Sequence, residues 1–227
     1  MNEILDIQIV SDVVCPWCYV GKRRLERALA ERPDLDVAVT WLPFQLSPDL
    51  PREGQDRATY YAEKFGPERA RTLQANMQKT AAAEGLHFDS GPGARTPNTL
   101  SAHVLLLWAA EQPEVNQDDV VERLFAAHHS LNQDIGDVAV LARIAGEAGM
   151  DPVGIEADLR AGRDEDRVQA LIRDAQRLGI SGVPHFVFDR RYAVSGAQAP
   201  EALLQVIDRF DEARAPRPGW QPAENEV

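Results

Sequence analysis

The chain has two cysteines in 227 residues, and both stand in one short run, Cys15-Pro16-Trp17-Cys18. The local pattern changes at that run. Before it, Ile4 to Val10 is short and β-rich, with Ile7 and Ile9 flanking Gln8. This predicts a strand, with Ser11 to Val14 as the turn after it. From Pro16 to Glu31 the pattern is helical. Leu25, Ala28 and Leu29 make the apolar stripe, Lys22, Arg23, Glu26 and Arg27 the polar face, and Pro33 ends the run. A Cys-x-x-Cys between a strand and a helix reads as a redox dithiol. Cys15 falls at the helix N-terminus, where unpaired N–H groups and the macrodipole favour negative charge, and the thiolate is the nucleophilic form of cysteine. Pro16 suits the first turn, because the N–H it lacks would be unpaired anyway. Cys18, one turn further in, is expected to be the shielded, resolving thiol.

Two blander readings compete with this one: half of a zinc site, and a pair of inert buried thiols. The five histidines, His87, His103, His128, His129 and His185, offer no pair at the spacing of zinc ligands. No metal and no cofactor are therefore expected. So few cysteines also exclude a disulfide-stapled scaffold. With 24 Lys+Arg against 36 Asp+Glu the formal charge is −12, which argues against nucleic acid and anionic lipid as partners. The start of the chain, Met1 to Asp6, lacks the basic and apolar regions of a signal peptide. The longest apolar run, Val104 to Ala110, falls far short of the roughly 20 residues a membrane span needs. A cytoplasmic location is expected, and the oligomeric state is not legible.

Along the chain, Val37, Val39 and Trp41 alternate as a second strand, completing a β-α-β crossover that favours a parallel pair. Ser47 to Gln55 is rich in Pro and Gly and marks a boundary. Helices are then expected near 56–65, 67–84, 97–111, 117–130, 137–148 and 151–161. A further helix, Glu165 to Leu178, ends at Gly179. Strands Pro184–Phe188 and Tyr192–Ser195 flank the turn Asp189-Arg190-Arg191, and a last amphipathic helix, Pro200 to Arg214, carries Leu203, Leu204, Val206, Ile207 and Phe210. If both ends join one sheet, the middle is a helical insertion in an α/β domain. The boundaries expected are 1–46 with 165–214 for the α/β domain, 47–164 for the insertion and 215–227 for a frayed polar tail.

The second chemical signal is Gly182-Val183-Pro184-His185. A proline opening a strand is either trans, marking the strand start, or cis, which X–Pro bonds allow. A cis bond would turn the backbone N–H and C=O of Val183 toward the thiols, as an edge for an extended peptide.

Taken together, Ser11-Asp12-Val13-Val14-Cys15-Pro16-Trp17-Cys18-Tyr19-Val20-Gly21-Lys22, Trp41-Leu42-Pro43-Phe44, Pro97-Asn98-Thr99, Gly179 to Pro184 and Ser195-Gly196-Ala197-Gln198 resemble the DsbA-like branch of the thioredoxin superfamily, and within it the FrnE-like group. The resemblance implies a thioredoxin fold interrupted by an all-helical domain, a redox Cys15/Cys18 pair and a cis Val183–Pro184 bond. It further implies thiol–disulfide oxidoreductase activity on protein or small-molecule disulfides and dithiols, with Pro184 part of the catalytic site. Two features depart from it: exported members carry a signal segment that is not visible here, and His185 follows the proline where the group commonly has an aromatic or apolar residue.

Other residues carry paired readings. Asp12 either relays the proton of Cys18 or is a solvated turn residue or Asx-type cap. His185 either stands near Cys15 or points to the other face of its strand. Trp17 and Val183 are expected to meet substrate. Phe44, with Tyr19 and Phe186, forms either an apolar rim for substrate or part of the core. His103 reads as a packing histidine, Asn98 as a helix cap and Gln198 as structural. A second functional class shares the split fold: kappa-type glutathione transferases and 2-hydroxychromene-2-carboxylate isomerases, which place a serine at the first thiol position.

Overall fold

Seven residues, Leu5–Ser11, form strand β1, and everything else in the α/β part is arranged around it. The computed structural model describes residues 4–89 and 91–214. The expected tail at 215–227 and the Phe210 side chain lie outside the described residues and side chains. Helix α1 (Pro16–Ala30) and strand β2 (Val37–Pro43) follow. β2 pairs parallel to β1 from Leu5–Val37 to Ser11–Pro43. Strands β5 (His185–Phe188) and β6 (Tyr192–Ser195) return much later as a hairpin. β5 lies antiparallel to β1, with Val10 opposite His185, so the sheet order is β2-β1-β5-β6. At the hairpin tip Arg191 N–H donates to Phe188 C=O at 3.0 Å, closing a turn whose two central residues, Asp189 and Arg190, both have positive φ.

Alternation along β1 divides the core. Leu5, Ile7 and Ile9 join Phe186 and Phe188 under α1 and the last helix α9 (Pro200–Arg214), which buries Leu203 and Ile207 there. On the opposite face Val10, Phe44, Ala175 and Ile180 form a smaller cluster. Ala175 is carried by α8 (Glu165–Arg177), which packs on β2.

Between β2 and α8 lies the insertion: α2 (Arg57–Phe65), α3 (Pro67–Ala83), α4 (Leu100–Ala110), α5 (Gln117–Phe125), α6 (Val138–Glu147) and α7 (Pro152–Arg160). A two-residue ladder, β3 (Gln55–Asp56) with β4 (Arg95–Thr96), is its one departure from a helical block among the described residues. Part of the acid excess goes into capping. Asp56, Asp137 and Asp151 accept a backbone N–H at the starts of α2, α6 and α7, as Asn116 does for α5, which satisfies donors the helix leaves unpaired.

Four differences from the sequence reading have physical causes. Ser11 is the last strand residue rather than a turn residue, because its carbonyl accepts Phe44 N–H at 2.9 Å and extends the ladder. The helix expected over 97–111 begins at Leu100, because the Asn98 side chain accepts Leu100 N–H at 3.0 Å. The helix expected over 117–130 ends at Phe125 and widens into a π-turn, Ala126–Ser130. Lys22 is also buried rather than facing solvent. Its ammonium meets Glu26, Asp118 at 2.9 Å and Glu122 at 3.3 Å, which fastens α1 to α5. At the sheet edge the Gln117 side chain accepts Trp41 N–H at 2.9 Å and donates to Trp41 C=O at 3.1 Å.

The π-turn buries His128 and His129 against Phe88 and Arg57. Burial pushes His128 well below the usual imidazole range and takes His129 down to about 3. Above about pH 6.5 both imidazoles are neutral in either state and no penalty arises. Below it the unfolded chain binds protons that the fold refuses, so stability falls as pH drops, until the folded-state value near 3 is reached. Replacing His129 by Phe, which keeps the stacking on Phe88, is expected to flatten this loss by one proton. Denaturant unfolding followed from neutral to acid pH measures it, and an unchanged slope would contradict it.

Candidate active site

The turn between β1 and α1 places both thiols. Cys15 occupies the N-cap position with extended backbone (φ −81°, ψ 112°), and Pro16 begins the helix. The Cys15 N–H donates to Asp12 C=O at 2.9 Å, and its carbonyl accepts from Cys18 N–H at 3.0 Å. The Cys15 side chain makes no capping bond. Its Sγ instead donates to Val183 C=O at 3.8 Å. Both thiols are free, with Cys15 4% exposed and Cys18 0%. The Cys18 thiol is held well above the usual thiol range, first by burial and then by its hydrogen bond and charge interaction with Cys15. The Ser11 hydroxyl and the Asp12 backbone act against that rise.

The Val183–Pro184 peptide bond is cis. Pro184 is buried, its carbonyl accepts Gly196 N–H at 2.8 Å, and the Gln198 side chain donates to Ser195 C=O at 2.8 Å. The Ser195–Gln198 run thus braces the strand start, the structural part read for Gln198.

Gly21 brings this strand close to α1. A Cβ there would stand 3.1 Å from both the Pro184 ring and Phe186 Cζ. Alanine favours a helix over glycine by about 1 kcal/mol, but the methyl needs a rigid proline ring and a fully buried Phe186 to give way by a few tenths of an ångström. Gly21→Ala is therefore expected to destabilise by about 1–3 kcal/mol, read as a lowered Tm. A raised Tm would show that the two elements separate freely.

The other expected site residues divide. Trp17 is 45% exposed beside Cys15, and Val183 is half-buried with its carbonyl on Cys15. Phe44 is no rim residue: it is buried with Val10, Ala175 and Ile180. His185 alternates with the core residues Phe186 and Phe188, and its Nδ1 lies 2.9 Å from Ser195 Oγ, so its ring is engaged on β6. Burial lowers its pKa. Asp12 is neither solvated nor a cap. It is 0% exposed, its Oδ2 accepts Leu46 N–H at 2.8 Å, and its Oδ1 lies 3.3 Å from His103 Nε2. The polar link from His103 to the thiol turn escaped the sequence reading, since α4 is 91 residues away and apolar around that position. Among the described residues no cluster of three or more His, Cys, Asp or Glu stands where it could hold a metal. No helix among them is long and apolar enough to cross a membrane.

A four-stranded sheet with a dithiol at a helix start and a cis-proline opposite it defines a thioredoxin-type fold. The chain belongs to the DsbA-like thioredoxin domain family, whose model matches residues 6–208. It is 29% identical over 202 residues to the uncharacterized protein YwbO of Bacillus subtilis (strain 168), covering 88% of this chain and 94% of that one. Among solved structures, a probable DsbA oxidoreductase, SCO1869 of Streptomyces coelicolor, superposes with a TM-score of 0.84 at 33% identity, covering 98% of this chain and 95% of that one. A 2-hydroxychromene-2-carboxylate isomerase shares the fold at 15% identity, with a TM-score of 0.68 and coverage of 92% and 98%.

The two thiols differ in setting, which orders their reactivity. Alkylation of the reduced protein near neutral pH is expected to label Cys15 first, with Cys18 following only on unfolding, as peptide mass mapping would read. Preferential labelling of Cys18 would reverse the roles.

Proposed function

We propose that the protein exchanges disulfides with protein or small-molecule substrates through Cys15 and Cys18. The observation that carries this reading is the capping position of Cys15 beside Val183 C=O, with Cys18 buried one helical turn below. The Cys15 thiolate attacks a substrate disulfide and forms a mixed disulfide. Cys18 then attacks Cys15 Sγ, closing Cys15–Cys18 and releasing the substrate as a dithiol. The same steps in reverse oxidise a substrate. An extended segment adds along Val183 as a short strand, with the exposed face of Trp17 against its side chains. Pro184 shapes that edge. Asp12 receives the Cys18 proton, and His103 and Leu46 N–H hold its carboxylate for that task. A cytoplasmic location belongs to the same reading, since thiols stay reduced there.

The transferase or isomerase alternative rests on fold, and the side chains speak against it. A cysteine occupies the first thiol position, and a second thiol stands behind it.

Cys18→Ser leaves the mixed disulfide on Cys15 without a resolving thiol. Covalent adducts are therefore expected on non-reducing gels with Cys18→Ser and none with Cys15→Ser, which should also lose insulin-disulfide reduction. Exchange that survives Cys15→Ser would sink the proposal.

A further inference from the structure

Ser11 ends β1 opposite Pro43, and its carbonyl is used in the ladder through Phe44 N–H. Its side chain falls on the same face as Leu5, Ile7 and Ile9, the face that α1 covers and where Cys18 is buried. Ser11 Oγ is itself buried, yet it has no hydrogen-bond partner among the described residues. Buried hydroxyls are normally paired, and an apolar residue of similar size would fill the place at less cost. A hydroxyl with no partner of full hydrogen-bond geometry, on the face where Cys18 is buried and already acting on that thiol, points to the Cys18 sulfur as the acceptor it meets fully once that sulfur is charged.

We propose that Ser11 donates its hydroxyl hydrogen bond to the Cys18 thiolate in the resolving step. The inference rests on the disulfide-exchange reading. In that step the mixed disulfide between Cys15 and substrate meets Cys18 as a thiol. Cys18 gives up its proton, and its sulfur attacks Cys15 Sγ. The Cys15–Cys18 bond forms, the Cys15–substrate bond breaks, and the departing substrate sulfur carries off the electron pair and takes up a proton. The protein pair is oxidised by two electrons and the substrate reduced by two. Ser11 keeps its proton throughout and only shares it with the transient negative charge. That charge arises at a wholly buried sulfur, where water cannot solvate it, so a fixed donor counts for more there than at the surface. The opposing influence of the Ser11 hydroxyl and Asp12 backbone on Cys18 noted above has the direction this role requires. Once the disulfide closes, the sulfur is neutral and the hydroxyl no longer faces a charge.

The test separates attack from resolution. One equivalent of dithiodipyridine added to the reduced full-length protein releases one thiopyridone when Cys15 attacks and a second when Cys18 resolves. With Ser11→Ala the first phase is expected to keep its rate, and the second to slow about tenfold or more, the weight of a hydrogen bond to a charged group. Ser11→Thr, which restores the hydroxyl on a residue suited to a strand, should recover the second phase, whereas Ser11→Val, its near-isostere, should not. An unchanged second phase in Ser11→Ala, equal slowing of both phases, or identical behaviour of the Thr and Val variants would overturn the proposal. Absence of the first phase in the unaltered protein would instead bring down the exchange reading itself, and this inference with it.

Discussion

The close approach of α1 to the start of β5 is the contact on which the site depends. With no side chain at Gly21, the helix settles against the Pro184 ring and Phe186, and six residues earlier, at the helix start, Cys15 Sγ lies 3.8 Å from Val183 C=O. The thiol turn is thus held by packing in a part of the chain remote from it in sequence. Phe186 and Phe188 anchor β5 in the main core, so the strand cannot drift away without opening the interior of the molecule.

The other side of α1 is held by different chemistry. Tyr19 donates to Glu122 at 2.7 Å and stacks on Phe125 with ring centroids 4.9 Å apart, while Lys22 meets the carboxylates of α1 and α5. Burying an ammonium costs desolvation, and several carboxylates around it offset that cost. Asp12 adds a third tie, from the thiol turn to α4 and to the segment after β2. The helical insertion is therefore wired to the thiol turn by aromatic, ionic and hydrogen-bonded contacts.

Much of this architecture was legible in order along the chain. The strand–CPWC–helix unit, the strand at Val37, the hairpin after Pro184 and the helical middle follow from periodicity and breakers, which are local signals. What escaped depends on which surfaces the insertion covers. Lys22 reads as solvent-facing because its helix is amphipathic, and only the arrival of α5 buries it. His103 reads as packing because its neighbours are apolar, and the partner that changes its meaning is Asp12. Phe44 reads as rim or core, and its packing against Ala175 of α8 decides in favour of core. The buried hydroxyl of Ser11 has no signature in sequence at all, since it requires knowing what surrounds it.

The Gln117 side chain mimics one residue of a neighbouring strand. By taking both the N–H and the C=O of Trp41 it occupies part of the outer edge of β2, the edge at which a sheet otherwise grows by recruiting another chain. The insertion is consequently a plug as well as an appendage. A miniature built by deleting residues 47–164 and rejoining the ends would keep the thiols and the proline, yet it would uncover a raw strand and leave Trp41 without cover. Such a miniature would self-associate along that strand unless the edge were closed by other means.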